Sequence, residues 1–108
     1  MVKTVQLKDV IQFSPEKMQT LTMFKSKRLH TELACFEPGQ AQKSSILPDQ
    51  DRTYVILEGR SRFTVGRTTR EYEAGTAIHV NAGQEHGVIN IGEQKMVILI
   101  ATSIPQKK

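Results

Sequence analysis

Short segments in which apolar and polar residues alternate recur along the whole chain and predict an all-β protein. Val, Ile and Thr supply 27 of the 108 residues, and these β-branched types favour strands. The candidate strands are separated by Gly, Pro, Asn and Asp and span 3–7, 20–24, 29–36, 53–57, 61–65, 70–73, 77–80, 87–90 and 95–102. Nine short strands in one domain predict a jelly-roll barrel, because closure protects the sheet edges.

Two other segments have a clear local interpretation. Ser14 followed by Pro15 resembles a helix start, and the alternation after it allows one helical turn at most. Residues 96–100 are apolar on both faces of their strand, so both faces must be covered. A second copy of the chain is the natural cover for the outer face, which predicts a homodimer.

Length and composition bound the class of protein. A chain of 108 residues, 38% apolar, forms one domain, and its longest apolar run is far below the ~20 residues of a membrane span. We expect 1–24 to belong to the same domain as a barrel over 25–104, with a tail at 105–108. The absence of a signal peptide and the single Cys35 predict a cytoplasmic protein without membrane contact.

The net charge of +4 raises the question of nucleic-acid binding. Four arginines lie close together, at positions 60, 62, 67 and 70. They are interleaved with Ser61, Phe63 and Val65, and no aromatic stacking platform or recognition-helix pattern accompanies them. We therefore interpret them as the solvated face of a hairpin and predict no nucleic-acid partner.

One glycine-bounded block carries a family resemblance. It runs from Gly75 to Asn90, with Gly83 and His86 at set intervals between them. This spacing resembles the second conserved motif of the cupin superfamily, in which Asn81 would usually be Pro. A first block, residues 39–59, resembles the other cupin motif. The resemblance covers roughly residues 25–104 and implies a small single-domain cupin with the double-stranded β-helix fold.

The resemblance also implies where a metal would bind. In cupins the first motif supplies two His and one Glu, and the second motif supplies one His. The first three positions are here Ser45, Leu47 and Arg52, so only His86 remains. At an effective dielectric of ~20, a guanidinium ~4 Å from a divalent ion is repelled by roughly 8 kcal/mol. We therefore predict no metal cofactor, with Fe, Mn, Ni or Zn as the alternative.

Three routes to a retained metal stay open. Shifting the count by one residue would let Asp51 serve as a ligand together with His86. Oxygen ligands could also come from nearby polar side chains, namely Gln42, Asp49 and Gln50. The two other histidines, His30 and His79, are more typical of surface or structural positions.

The altered positions predict a binding site for a small polar or anionic organic molecule. Arg52 and His86 would hold a carboxylate or phosphate, Ser45 would add a hydroxyl, and Leu47 and Tyr54 would form walls.

Two alternatives compete with this interpretation. Arg52 could instead turn outward and pair with Asp49, Asp51 or Glu58. The chain could also be a small cupin enzyme, an isomerase, epimerase or metal-dependent dioxygenase that uses His86. The sequence does not decide whether a reaction is catalysed.

Overall fold

The computed structural model describes residues 2–107, which form nine strands and one short helix. The elements are α1 (Leu7–Val10), β1 (Gln19–Lys25), β2 (Leu29–Phe36), β3 (Ala41–Ile46), β4 (Arg52–Glu58), β5 (Arg60–Val65), β6 (Thr68–Glu73), β7 (Ala77–Val80), β8 (Glu85–Asn90) and β9 (Met96–Ser103). The predicted all-β class is confirmed. No helix within these residues is long and apolar enough to cross a membrane.

The strands form two antiparallel sheets with one core between them. The first sheet has the order β1-β2-β9-β4-β7, and the second has the order β3-β8-β5-β6. Side chains of both sheets meet in a single apolar cluster that includes Phe36, Ile98 and Phe63. The predicted double-stranded β-helix is thus present as two facing sheets, and these share no strand among residues 2–107.

Two of the predicted local elements are wrong. A strand is predicted over residues 3–7, but no strand includes them, and the single helical turn begins at Leu7. No helix follows Ser14, so the turn predicted there is also wrong.

Strand β3 was not predicted from the sequence. Its residues, Ala-Gln-Lys-Ser-Ser-Ile, show little alternation of apolar and polar side chains. This strand lies at the edge of its sheet, and most of its residues are exposed. It therefore needs few buried apolar residues, and it leaves only a weak pattern in the sequence.

The N-terminal segment covers part of the outer face of the five-stranded sheet. Leu33, Cys35 and Val97 point to this face and are buried. Val10 and Phe13 pack against them. A second subunit is therefore not needed to cover Val97. The homodimer stays a prediction.

Phe13→Ala should expose Cys35 to thiol reagents. The Cys35 side chain is fully buried, and burial raises the pKa of its thiol, so the native protein should react very slowly. Loss of the Phe13 ring should cost about 2 kcal/mol of stability and speed the labelling of Cys35. Labelling rates measured with a chromogenic disulfide, together with urea unfolding, test both effects. Equal rates in the two proteins would show that Phe13 does not cover this face.

Candidate functional site

The space between the sheets is apolar at one end and polar at the other. Inner-facing positions at the apolar end carry residues such as Phe36, Ile56 and Met96. The same strands place polar residues at the other end, because inward-facing positions recur at every second residue. By strand register and side-chain contacts, these polar residues are Thr22, His30, Glu32, Gln42, Ser45, Arg52, Tyr54, His86 and Thr102.

Arg52 begins β4 and lies on the inner face, half-buried. Its Nε donates to the Thr102 Oγ1 at 2.9 Å, and its Nη1 donates to the Tyr54 hydroxyl at 3.3 Å. Register explains the first contact, because Arg52 and Thr102 are direct partners across β4 and β9. Within residues 2–107 it forms no ion pair with a carboxylate, so the alternative pairing with Asp49, Asp51 or Glu58 is absent.

Tyr54 lies at the centre of the polar end. Its ring is fully buried and meets the rings of Phe63 and His86 edge to face, with centroids 4.9 and 6.0 Å apart. Its hydroxyl donates to the Gln42 Oε1 at 2.8 Å, while the guanidinium of Arg52 donates to the hydroxyl. Burial raises the pKa of Tyr54, although the hydrogen bond and charge of Arg52 act in the opposite direction.

His86 is 2% exposed and has one ring nitrogen without a partner. Its Nδ1 lies 3.0 Å from the carbonyl oxygen of Gln84. A carbonyl oxygen only accepts, so Nδ1 carries the proton and donates. In the neutral ring Nε2 is then a bare lone pair, which can accept a hydrogen bond or a proton or bind a metal. It is the only buried side-chain nitrogen or oxygen without a hydrogen bond in the part of the chain that the structure describes.

The turn before β8 fixes the position of His86. The Gly83 amide donates to the Leu47 carbonyl at 2.8 Å, and the Ala82 amide donates to the Asp51 carboxylate at 2.9 Å. These two bonds join the turn to the ends of β3 and β4. The amide of Asn81 donates to the Gln84 Oε1 at 2.9 Å, a bond that the Pro usual in cupins could not make.

The structure brings together most of the residues predicted for the ligand site. Ser45 is the direct cross-strand partner of His86, and it is exposed at the polar end. Tyr54 contacts both Arg52 and His86. Leu47 lies after the end of β3, half-buried, where its carbonyl receives the Gly83 amide.

Two of the alternative metal ligands, Asp51 and His79, are held away from His86. Asp51 is exposed and its carboxylate binds the turn at Ala82. His79 lies on the outer face, with its Nδ1 2.9 Å from the Thr53 hydroxyl. No group of three or more His, Cys, Asp or Glu residues among residues 2–107 could hold a metal ion.

Three residues at the polar end, Thr22, Glu32 and Thr102, were not singled out from the sequence. Thr102 anchors Arg52, and Glu32 lies on β2 two residues after His30. The position of Glu32 could have been predicted from β2. Residues 30, 32 and 34 lie on the same face of that strand, and Ala34 is buried in the core.

The arginines of the β5–β6 hairpin lie outside this site. Arg60 and Arg62 both donate to the exposed carboxylate of Glu71, at 3.1 and 3.3 Å. These hydrogen bonds hold the pKa of Glu71 below its ordinary value. Such pairs are typical of a solvated face.

A family model described as a cupin domain matches residues 32–102 of the chain. The crystal structure of the protein TT1209 from Thermus thermophilus is similar to this structure, with 32% sequence identity and a TM-score of 0.91. The match covers 95% of this chain and 98% of that one.

Two further matches are more distant in sequence or cover only part of the chain. A conserved Klebsiella pneumoniae protein with a double-stranded β-helix domain is 16% identical, with a TM-score of 0.88 over 95% of this chain and 90% of that one, and this likeness concerns the fold alone. The Streptomyces coelicolor protein SCO3923 is 33% identical over 51 residues, which are 47% of this chain. The match spans about half of that protein, 49% of its length.

Proposed function

The chain belongs to the cupin domain family, and on that premise we propose that it binds a small organic anion at the polar end of the space between its sheets. Members of this family bind ligands or act as enzymes. The proposed ligand carries a carboxylate or a phosphate group, which Arg52 would bind with its forked donors. Ser45, Tyr54 and His86 would complete the site.

The observation that supports this proposal most strongly is that Arg52 lies on the inner face without a carboxylate partner among residues 2–107. Two hydrogen bonds, to Thr102 and Tyr54, hold the guanidinium on the inner face. Those bonds use two of its five N–H donors, and no carboxylate of residues 2–107 pairs with it. A half-buried cation without a counter-ion is poorly solvated, and an incoming anion would relieve that cost.

The same residues do not fit the metal that the family often holds. Ser45, Leu47 and Arg52 occupy three of the four ligand positions, and the guanidinium of Arg52 is directed along the inner face towards Tyr54. Of those four positions, only His86 offers a suitable lone pair. A divalent ion beside it would be repelled by Arg52 and would lack further strong ligands. We therefore propose a site that works without a metal.

Arg52→Gln should weaken anion binding about 10- to 100-fold, since a hydrogen bond to a charged group contributes about 1.5–3 kcal/mol. Titration calorimetry with a panel of monocarboxylates, dicarboxylates and phosphate esters measures the effect. Arg52→Lys should give an intermediate loss, because lysine keeps the charge but not the fork.

Arg67→Gln is the matched control, because Arg67 is an exposed residue in the β5–β6 turn and lies outside the site. It removes the same charge and should leave every affinity nearly unchanged. Equal affinities of the Arg52→Gln and Arg67→Gln proteins for all anions of the panel would refute the proposed site.

A further inference from the structure

We propose that the ligand also carries a positively charged group, so that it is a small zwitterion of the amino-acid class, and that Glu32 binds its ammonium group. This inference rests on the proposed function, because it places the anionic end of the same ligand on Arg52. It adds a second charged subsite, on β2, to the one on β4.

Glu32 has a mostly buried side chain, and its carboxylate has few partners in the protein. It lies on the inner face of the five-stranded sheet, and its side chain is 12% exposed. Within residues 2–107 its one ion-pair contact is the Nε2 of His30, 3.9 Å from its Oε2. That nitrogen is already within 2.9 Å of the Thr22 hydroxyl. No hydrogen bond from the described residues reaches the carboxylate, and its oxygens are not among the buried unpaired atoms, so they keep contact with solvent and stay open to a ligand.

Glu32 and Arg52 face the same space without meeting. Arg52 pairs in register with Thr102, and Thr102 pairs with His30, so two strand spacings separate β4 from β2. Glu32 lies two residues further along β2, so its backbone is about 10 Å away across the sheet and roughly 7 Å along it. No ion pair joins the two side chains. Each therefore remains available for an opposite charge on a bound molecule.

The surroundings agree with a ligand that has two charged ends. Tyr54 and Ile100 are in register with Glu32 on the inner face, and both are fully buried, so the ligand would contact the charged groups and not these two side chains. The charge of Glu32 acts on the Tyr54 hydroxyl, where it adds to the larger effect of burial in raising the pKa of Tyr54. His86 contributes a buried acceptor at the same end of the core, and an N–H or O–H of the ligand could satisfy it.

The test uses unbranched amino acids and the matched acids that lack the amine. The probes are glycine, β-alanine, γ-aminobutyrate and ε-aminocaproate, paired with acetate, propionate, butyrate and caproate. Titration calorimetry gives the affinities, and the ¹⁵N signal of the Arg52 Nε reports where the carboxylate binds. We expect at least one amino acid to bind about tenfold more tightly than its matched acid, and Glu32→Gln to abolish this preference without weakening the acids.

Two further variants sharpen the result. Glu32→Asp should move the preference to a longer amino acid, because it withdraws the carboxylate by one methylene. Glu93→Gln, which removes an exposed carboxylate outside the site, should change nothing. If acids and amino acids bind equally well to Arg52, the zwitterion inference is wrong and the anion site stands. If no probe shifts the Arg52 signal, the zwitterion inference is wrong, and the anion site is then decided by the dicarboxylates and phosphate esters of the calorimetric panel.

Discussion

Replacing Gly59 by alanine should destabilise the protein by about 3–5 kcal/mol, the combined cost of overpacking and left-handed strain. Gly59 joins β4 to β5 with φ +94°. A Cβ at this position would lie 2.8 Å from both the Cα and the Cβ of Met96 and 3.0 Å from the Lys95 carbonyl oxygen. Backbone atoms cannot move aside as a flexible side chain can, so either β9 or the β4–β5 turn must shift.

Gly75→Ala is the matched control for this prediction. Gly75 has nearly the same backbone conformation, φ +91°, but an added Cβ would meet no atom within 4 Å. This substitution should cost only the conformational strain, about 1–2 kcal/mol. Urea unfolding of both variants separates the two contributions. Equal losses would show that the close approach of Gly59 to Met96 has no energetic weight.

The contact at Gly59 also matters for the candidate site. β4 and β9 pair in a register that shifts once, between Ile56 and Glu58, and then continues to the pair of Arg52 with Thr102. If the Gly59→Ala chain folds with a displaced β9, the bond from Arg52 to Thr102 should be lost as well. Anion affinity should then fall together with stability, although Gly59 itself lies at the other end of β4.

Strands with strong alternation could be predicted from the sequence. β2 and β7 have the predicted bounds, and most of the other strands differ by one or two residues. Their pattern is clear because one face packs into the core. The edge strand β3 and the segment around Leu7 pack little apolar surface, so the local pattern carries no reliable signal there.

The sequence predicted the residues of the candidate site that belong to local motifs, but not the contacts that depend on which strands pair. Family spacing located His86 and Arg52, because each belongs to a motif that is local in sequence. The contact of Arg52 with Thr102 joins residues 50 positions apart, and that of Tyr54 with Gln42 crosses from one sheet to the other. Such contacts depend on register and sheet packing, which alternation does not fix.

The sequence predicted a site of positive charge only. That prediction took account of Arg52, which stands in place of a carboxylate. It did not include Glu32, which lies on the same inner face, on β2. The polar end therefore presents charges of both signs. Catalysis by His86, the other hypothesis from the sequence, stays a prediction.

Tyr54→Ala should cost about 4 kcal/mol, because it leaves a cavity where a fully buried ring meets Phe63 and His86. Tyr54→Phe keeps the ring and removes only the hydroxyl, so it should cost about 1–2 kcal/mol through the unpaired Gln42 oxygen. Tyr72→Phe is the control for the hydroxyl, since no hydrogen bond to the Tyr72 hydroxyl is present within residues 2–107. Urea unfolding at neutral pH should therefore show a loss for Tyr54→Phe and almost none for Tyr72→Phe.

The pH dependence of these variants tests the environment of the Tyr54 hydroxyl. Burial, opposed in part by Arg52, raises the pKa of Tyr54 in the folded state above the value of about 10 in the unfolded chain. As the pH rises past that value, the unfolded chain loses the proton first, so the free energy of unfolding falls. Phenylalanine cannot ionise, and the stability advantage of the wild-type protein over Tyr54→Phe should therefore shrink in this range. An advantage that stays constant up to strongly alkaline pH would mean that the hydroxyl ionises as readily in the folded protein as in the unfolded chain, which contradicts its burial against Arg52 and Gln42.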